Sequence, residues 1–217
     1  MVEKQKKPIY KISSSLINSW LYYESVKDKE EDAFQRVVDR LRNEYKGNYF
    51  TDMGEEFEAQ VYAGAQGILS DIVKDLPHQI WGVKWIELGD FRIRVAGCVD
   101  AIDAENNIIY DIKRVAKFDE NKYEDSVQHL FYFWLFPEVE EVIYLLGVGP
   151  FNSNNSSGLE YKVIKYKRPD NIEELVLNYI LLYYEFLVKN NLMEVYKEFQ
   201  KFGNKIPEDK QKEEEVW

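Results

Sequence analysis

Apolar residues recur every three or four positions through the first third of the chain, which predicts amphipathic helices. A run of serines precedes the first of these patterns and supplies an N-cap, and Pro77 closes the last. The predicted helices cover residues 13–23, about 30–45 and 54–74. A long helix of the same type is predicted near the other end of the chain, over about 172–202.

Between these helices the period changes to the alternation typical of β-strands. A turn near residues 89 and 90 separates two strands within 80–104, and residues 105–107 form the turn to the next strand. The later strands cover 108–115, 141–148 and 159–167, and a helix over 122–136 precedes the last two. The order helix, three-stranded meander, helix and strand predicts an α/β core, in which helices flank a mixed sheet, with helical additions at both ends.

We expect a single domain over 1–217, because no clear linker or internal repeat interrupts the chain. Its core would span about 50–167, preceded by helices over about 13–45 and followed by the helix over 172–202. The charged residues 207–217 are expected to be disordered.

The single cysteine, Cys98, excludes an internal disulfide and any cysteine-clustered zinc or iron–sulfur site. The sequence contains no apolar run long enough to span a bilayer, and its first residues are polar and basic, so we expect neither a membrane helix nor a signal peptide. A cytoplasmic location is expected.

The formal net charge of −11 argues against a nucleic acid as partner. The charge is uneven, however, because residues 161–168 contain four basic residues and no acidic one: Lys162, Lys165, Lys167 and Arg168. Local fields govern the binding of a polyanion more than the total charge does. Such a cluster is also typical of a solvated surface, so charge weakens the nucleic-acid hypothesis without ending it.

Polar residues interrupt the apolar pattern within 97–132. Asp111 and Lys113 are two positions apart on a predicted strand and so share a face of the sheet. With a two-residue turn, Asp100 lies opposite one of these two residues and on their face, whereas a three-residue turn would send it to the other face. Two neighbouring carboxylates raise each other's pKa unless a cation lies between them, and oxygen ligands of this type suit Mg²⁺ or Mn²⁺. Gln128 and Tyr132, one helical turn apart, would border the site.

This series of motifs resembles the PD-(D/E)XK nuclease superfamily, and most closely its RecB-nuclease and lambda-exonuclease-like branch. Gly-x-x-Asp, Asp-x-Lys and Gln-x-x-x-Tyr follow one another in the family's order and spacing, ending here at Asp100, Lys113 and Tyr132. Each motif alone is weak, and the series is specific. The second acid is Asp111, where many members have Glu, and one cysteine cannot hold the four-cysteine iron–sulfur cluster of some RecB-like chains.

Two upstream segments extend the resemblance to about residues 13–150. Residues 54–58 resemble the family's Gly-x-x-x-(His/Glu) motif on the first core helix, which makes Glu58 the upstream acid. Residues 13–20 resemble the Ser-x-Ser-x-Leu opening that is common in RecB-like chains. The resemblance implies a restriction-endonuclease-like core.

The resemblance also implies phosphodiester hydrolysis with Mg²⁺ or Mn²⁺ as cofactor. Asp100 and Asp111 would bind the metal together with the backbone carbonyl of Ile112. Glu58 would bind a metal or a metal-bound water.

Other residues would act around that metal. Lys113 would orient or help activate the attacking water, and Gln128 and Tyr132 would position the lysine or contact the DNA backbone. Basic residues on the hairpin and in the cluster are candidate DNA contacts: Arg92, Arg94, Arg114, Lys162, Lys165 and Lys167.

The function that these residues favour is a metal-dependent deoxyribonuclease that acts on DNA ends or single strands. A phage or prokaryotic origin and a role in DNA repair or recombination are expected. A homo-oligomer or a recombination protein is the expected protein partner. The acidic net charge keeps open a catalytically idle member of the fold that binds DNA or protein. A third hypothesis is a mainly helical interaction protein built on residues 172–202.

Overall fold

A mixed sheet with helices before, between and after its strands emerges in a computed structural model, which describes residues 7–44, 49–119, 121–151 and 158–202. The strands are β1 Ile9–Ile12, β2 His78–Leu88, β3 Phe91–Asp103, β4 Ile108–Val115, β5 Glu141–Val148 and β6 Glu160–Lys167. The helices are α1 Ser14–Val26, α2 Ala33–Leu41, α3 Tyr49–Tyr62, α4 Ile68–Val73, α5 Asn121–Glu124, α6 Gln128–Leu135, α7 Ile172–Lys189 and α8 Met193–Phe199.

The sheet contains six strands within the described residues, in the order β1-β3-β4-β5-β6, with β2 paired to β3. The pairs β1–β3 and β4–β5 are parallel, whereas β3–β4 and β5–β6 are antiparallel. The prediction of a mixed α/β sheet is therefore confirmed. The turn between β3 and β4 contains four residues, 104–107, and not two.

The elements form two compact units. One unit comprises Met1–Tyr45, Val83–Gly97 and Leu177–Trp217, and it contains the parallel pairing of β1 with the first half of β3. The other comprises Lys46–Gly82 and Cys98–Val176, and it contains β4, β5, β6, the second half of β3 and every catalytic residue expected from the sequence.

Helices α3 and α4 form the core of this second unit against three strands. The buried residues are Phe57, Val61, Leu69 and Val73 from the helices and Ala101, Ile112, Ile143 and Leu145 from the strands. Gly147 lets α3 approach β5 closely, because a Cβ at this position would overlap the ring of Phe57. This close approach fixes α3, and with it Glu58, against the sheet.

Several predicted helices are interrupted in the structure. The segment 54–74 divides into α3 and α4, because Gly64 and Gly67 between them have positive φ. The C-terminal helix divides into α7 and α8 around Asn191, whose φ is +57°. The helix predicted over 122–136 is α5 followed by α6.

Other predictions differ at the ends of the chain. Strand β1 falls in a segment that the sequence showed only as polar and basic. The second helix, α2, is shorter than the predicted range of about 30–45, whose last residue lies outside the described residues, as does the segment 207–217. No helix of the described residues is long and apolar enough to cross a membrane.

The contact at Gly147 gives a stability prediction. Gly147→Ala should lower the free energy of unfolding by about 1–3 kcal/mol, because the added methyl group displaces the Phe57 ring from a filled core. Gly54→Ala on α3 is the matched control, since a Cβ there meets no atom within 4 Å and alanine favours the helix by roughly 0.5–1 kcal/mol. Urea denaturation measures both changes. Equal stability of Gly147→Ala and wild type would contradict the packing described here.

Candidate active site

The antiparallel pairing of β3 and β4 brings the two expected metal ligands together. The last pair of this register is Ala101 with Tyr110, so the next residues along the two strands are Asp100 and Asp111. A four-residue turn keeps Asp100 on the face of Asp111, as a two-residue turn would, because both turns contain an even number of residues. At this point the Oδ2 of Asp100 accepts the backbone N–H of Ile112 at 2.7 Å, so a carboxylate of β3 satisfies a donor of β4. The backbone of Ile112 is thus fixed beside both acids.

Asp111 is completely buried, and polar groups contact both of its carboxylate oxygens. Its Oδ1 accepts hydrogen bonds from Tyr132 Oη at 2.9 Å and from Gln128 Nε2 at 3.1 Å. The Nζ of Lys113 lies 2.5 Å from Oδ2. Two hydrogen bonds and one ion pair therefore stabilise a charge that burial would otherwise disfavour.

The Gln-x-x-x-Tyr pair therefore holds the second acid. Gln128 Nε2 also donates to Tyr132 Oη at 2.6 Å, and Tyr132 Oη lies 3.1 Å from the carbonyl oxygen of Cys98. Only 3% of Tyr132 is exposed, which places its hydroxyl inside the protein beside Asp111. The sequence predicts that this pair positions the lysine or contacts the DNA backbone; in the structure both side chains donate to Asp111, which in turn contacts Lys113.

Helix α6 can hold Tyr132 this way because nearly all of it is buried. Its residues from Phe131 to Leu135 are all buried. His129 is buried too, with its ring stacked on Tyr166 at a centroid distance of 4.0 Å. Burial lowers the pKa of His129 to about 4, so the imidazole is neutral near pH 7.

Asp100 and Lys113 have shifted pKa values. Burial and then the neighbouring carboxylate of Asp111 raise the pKa of Asp100 to about 7, while Lys113 opposes that rise. Burial alone would lower the pKa of Lys113, but Asp111, Asp100 and Glu58 together raise it above its usual value. The lysine is therefore charged and is the local counter-ion of the acids.

Glu58 reaches the site from α3. Its Oε1 accepts hydrogen bonds from Tyr62 Oη at 2.7 Å and from Gln79 Nε2 at 2.6 Å. Tyr62 Oη also lies 2.8 Å from the carbonyl oxygen of Asp100, which connects the helix to β3. The charge of Glu58 contributes to the raised pKa of Asp100, as expected for two acids of one cluster.

Sequence reasoning missed Tyr62 and Gln79. Tyr62 follows Glu58 by four positions, the same helical spacing as Gln128 and Tyr132, so its spacing was a usable signal. Gln79 gave no comparable signal, because its approach to Glu58 depends on how β2 begins.

The candidate DNA contacts on the hairpin have other partners in the structure. Arg114 is buried, donates to four backbone carbonyls and lies over the ring of Phe151, so it fixes the loop after β5. Arg94 is buried over Phe202. Arg92 pairs with Glu87 at 2.8 Å.

The lysines of the basic cluster lie on β6. Lys162 pairs with Glu160 at 2.6 Å, and Lys165 approaches Glu141 at 3.7 Å. Lys167 is exposed at the end of the strand. Surface pairs of this type contribute little to stability, so both paired lysines can exchange their partners for another anion.

Among the described residues, no three Asp, Glu, His or Cys side chains are close enough to hold a metal ion together. The donors nevertheless fit a hard divalent cation in type, since they are carboxylates beside a backbone carbonyl. Burial first, and then the neighbouring carboxylate of Asp111, disfavour the ionised form of Asp100 and raise its pKa. A cation between these two carboxylates would supply compensating charge.

The sequence matches no protein-family model and no curated protein. Its structure is similar to that of a phage-related exonuclease from Haemophilus somnus, with a TM-score of 0.51 and 14% identity over 83% of this chain and 96% of that one. It is also similar to an alkaline exonuclease from Laribacter hongkongensis, with a TM-score of 0.50 and 11% identity over 87% of this chain and 92% of that one. At these identities the likeness shows the fold alone: the chain shares the α/β fold of these two exonuclease structures, with a mixed sheet flanked by helices.

Proposed function

We propose that this chain is a metal-dependent deoxyribonuclease, most simply an exonuclease, that hydrolyses phosphodiester bonds with Mg²⁺ or Mn²⁺. The observation that carries the proposal is the arrangement around Asp111. A fully buried carboxylate is held on one oxygen by Gln128 and Tyr132 and on the other by Lys113. Holding a buried charge this way has a cost that a purely structural residue would avoid, which favours a catalytic role.

The acids would hold the metal. Asp100 and Asp111 would provide carboxylate oxygens from opposite strands, and Ile112 its backbone carbonyl. Glu58, on α3, would be the third carboxylate of the metal site and would bind the metal or a metal-bound water. The bound metal supplies a hydroxide-like nucleophile and offsets the charge that develops on the phosphate.

The remaining residues would orient these groups. Tyr132 and Gln128 fix the orientation of the Asp111 carboxylate, so that its remaining lone pairs are held in one direction. Lys113 is about one-third exposed, and its ammonium would move from Asp111 toward the attacking water or the phosphate when substrate binds. DNA ends or single strands are the proposed substrate, and the names of the two similar structures favour an exonuclease.

DNA degradation tests the proposal. Wild type should degrade linear or single-stranded DNA with Mg²⁺ or Mn²⁺, and Asp111→Asn and Lys113→Ala should each be slower by at least about 100-fold, because each loses charge at the reacting centre. Asp71→Asn is the matched control, since Asp71 is exposed on α4 and pairs with Lys74. Binding of DNA by wild type without degradation would instead favour the idle module.

The role of Tyr132 gives a second prediction. Tyr132→Phe should reduce activity by about 10–100-fold while the fold is retained, because the hydroxyl that orients Asp111 is lost. Tyr183→Phe is the control, since the Tyr183 hydroxyl is also buried but has no hydrogen-bond partner among the described residues. Initial rates of DNA degradation and thermal unfolding measure the two effects. Full activity of Tyr132→Phe would contradict the proposal that Tyr132 orients Asp111.

The pKa of Asp100 gives a third prediction. Because this pKa is raised from 3.8 to about 7, the folded protein keeps a proton that the unfolded chain has already released between about pH 4 and pH 7. Stability of the metal-free protein should therefore fall as pH rises through that window, and Asp100→Asn should remove this part of the fall. Mg²⁺ should raise the thermal midpoint of wild type above pH 7 but not that of the variant. Identical pH profiles of wild type and Asp100→Asn would contradict the shift.

A further inference from the structure

We propose that Gln79 is a positioning residue of this site, which acts by holding the carboxylate of Glu58. The inference rests on the proposed function, because it concerns how the upstream acid is presented to a divalent cation. It adds to the site a residue from β2, an element to which the sequence assigned no role.

The backbone of Gln79 is in a conformation that its side chain does not favour. Its φ is +54°, in the left-handed region. Among the described non-glycine residues with positive φ, the other three are asparagines: Asn43, Asn107 and Asn191. Asparagine tolerates this region because its short side chain bonds locally, whereas glutamine has no such advantage. Backbone strain of this type persists where the surroundings enforce it, and it concentrates at functional sites.

The side chain of Gln79 connects two parts of the site. Its Nε2 donates to Glu58 Oε1 at 2.6 Å, and its Oε1 lies 3.3 Å from the Sγ of Cys98. The carbonyl oxygen of Cys98 in turn lies 3.1 Å from the hydroxyl oxygen of Tyr132. A single amide therefore joins the acid on α3 to the segment of β3 that leads to Asp100.

Neighbouring residues hold Gln79 in place. The ring of His78 stacks on Tyr62 at a centroid distance of 4.0 Å, and its Nε2 lies 2.9 Å from the carbonyl oxygen of Val73. The carbonyl of Pro77 accepts the N–H of Ile102 at 3.1 Å. The start of β2 is thus fixed on both sides, and this is what enforces the positive φ of Gln79.

Glu58 depends on Gln79 because its other donor has a second acceptor. The hydroxyl of Tyr62 has one proton and lies near both Glu58 Oε1 and the carbonyl oxygen of Asp100. When Tyr62 donates to Asp100, the amide of Gln79 is the donor that remains on Glu58. A second N–H of the same amide can reach Tyr62 Oη, at 3.5 Å, and favour that arrangement.

Substitution of Gln79 by glycine separates strain from positioning. Gln79→Gly removes the amide and relieves the positive φ, so its thermal midpoint should equal or exceed that of wild type while its affinity for Mn²⁺ falls by about 10-fold or more. Calorimetric titration with Mn²⁺ in the absence of DNA measures that affinity. Asn107→Gly, at φ +59° in the turn between β3 and β4, should bind Mn²⁺ like wild type.

A second variant tests whether the loss of Mn²⁺ affinity in Gln79→Gly comes only from the added flexibility of the backbone. Gln79→Met keeps the length of the side chain and removes only its hydrogen bonds, and it should show the same loss of Mn²⁺ affinity. Gln60→Met is its control, because Gln60 also donates to a carboxylate on α3, that of Glu56 at 3.0 Å, away from the site. If Gln79 acts through Glu58, adding Gln79→Met to Glu58→Ala should cause no further loss.

Two results would overturn the role of Gln79. One is wild-type Mn²⁺ affinity in both Gln79 variants. The other is that Gln79→Met lowers Mn²⁺ affinity as much in the Glu58→Ala protein as it does in wild type. Failure of the proposed function looks different. Wild type would then bind Mn²⁺, with the coupling between Gln79 and Glu58 intact, and would leave DNA undegraded.

Discussion

The site depends on one constraint: the carboxylate of Asp111 must be stabilised where no solvent reaches it. Asp111 has no exposed surface, and an ionised carboxylate in that position is strongly disfavoured unless other groups compensate it. Compensation comes from three side chains, Tyr132 and Gln128 on one oxygen and Lys113 on the other. Loss of one of them would leave the charge poorly compensated, so the acid, the lysine and the Gln-x-x-x-Tyr pair form one unit.

The fold supplies the groups of the site from several elements. Strand β4 carries Asp111 and Lys113, and its parallel pairing with β5 covers Asp111 with the buried Tyr144. Strand β3 adds Asp100, which accepts the N–H of Ile112, and α3 adds Glu58. Because the elements are held by packing such as that of Phe57 on Gly147, the positions of the acids follow from the core and not from surface loops.

The sequence predicted most of the second unit because its signals are local. Alternation defined β4 and β5, and an even number of turn residues brought Asp100 next to the start of the Asp111 segment although the turn is longer than expected. What the sequence did not predict depends on contacts between distant residues. The buried hydroxyl of Tyr132 donates to Asp111. Arg114, which its place on the hairpin suggested for phosphate contact, instead donates to backbone carbonyls that surround it. The role of Gln79 depends on a backbone angle, which no residue pattern encodes.

Anomalous X-ray scattering from crystals soaked with Mn²⁺ tests the account most directly. We predict an anomalous peak that contacts a carboxylate oxygen of Asp100, a carboxylate oxygen of Asp111 and the carbonyl oxygen of Ile112, with Tyr132 still bonded to Asp111. Crystals of Asp111→Asn should lack that peak. Mn²⁺ bound elsewhere, with the contact between Lys113 and Asp111 unchanged and no peak between the two acids, would contradict the site.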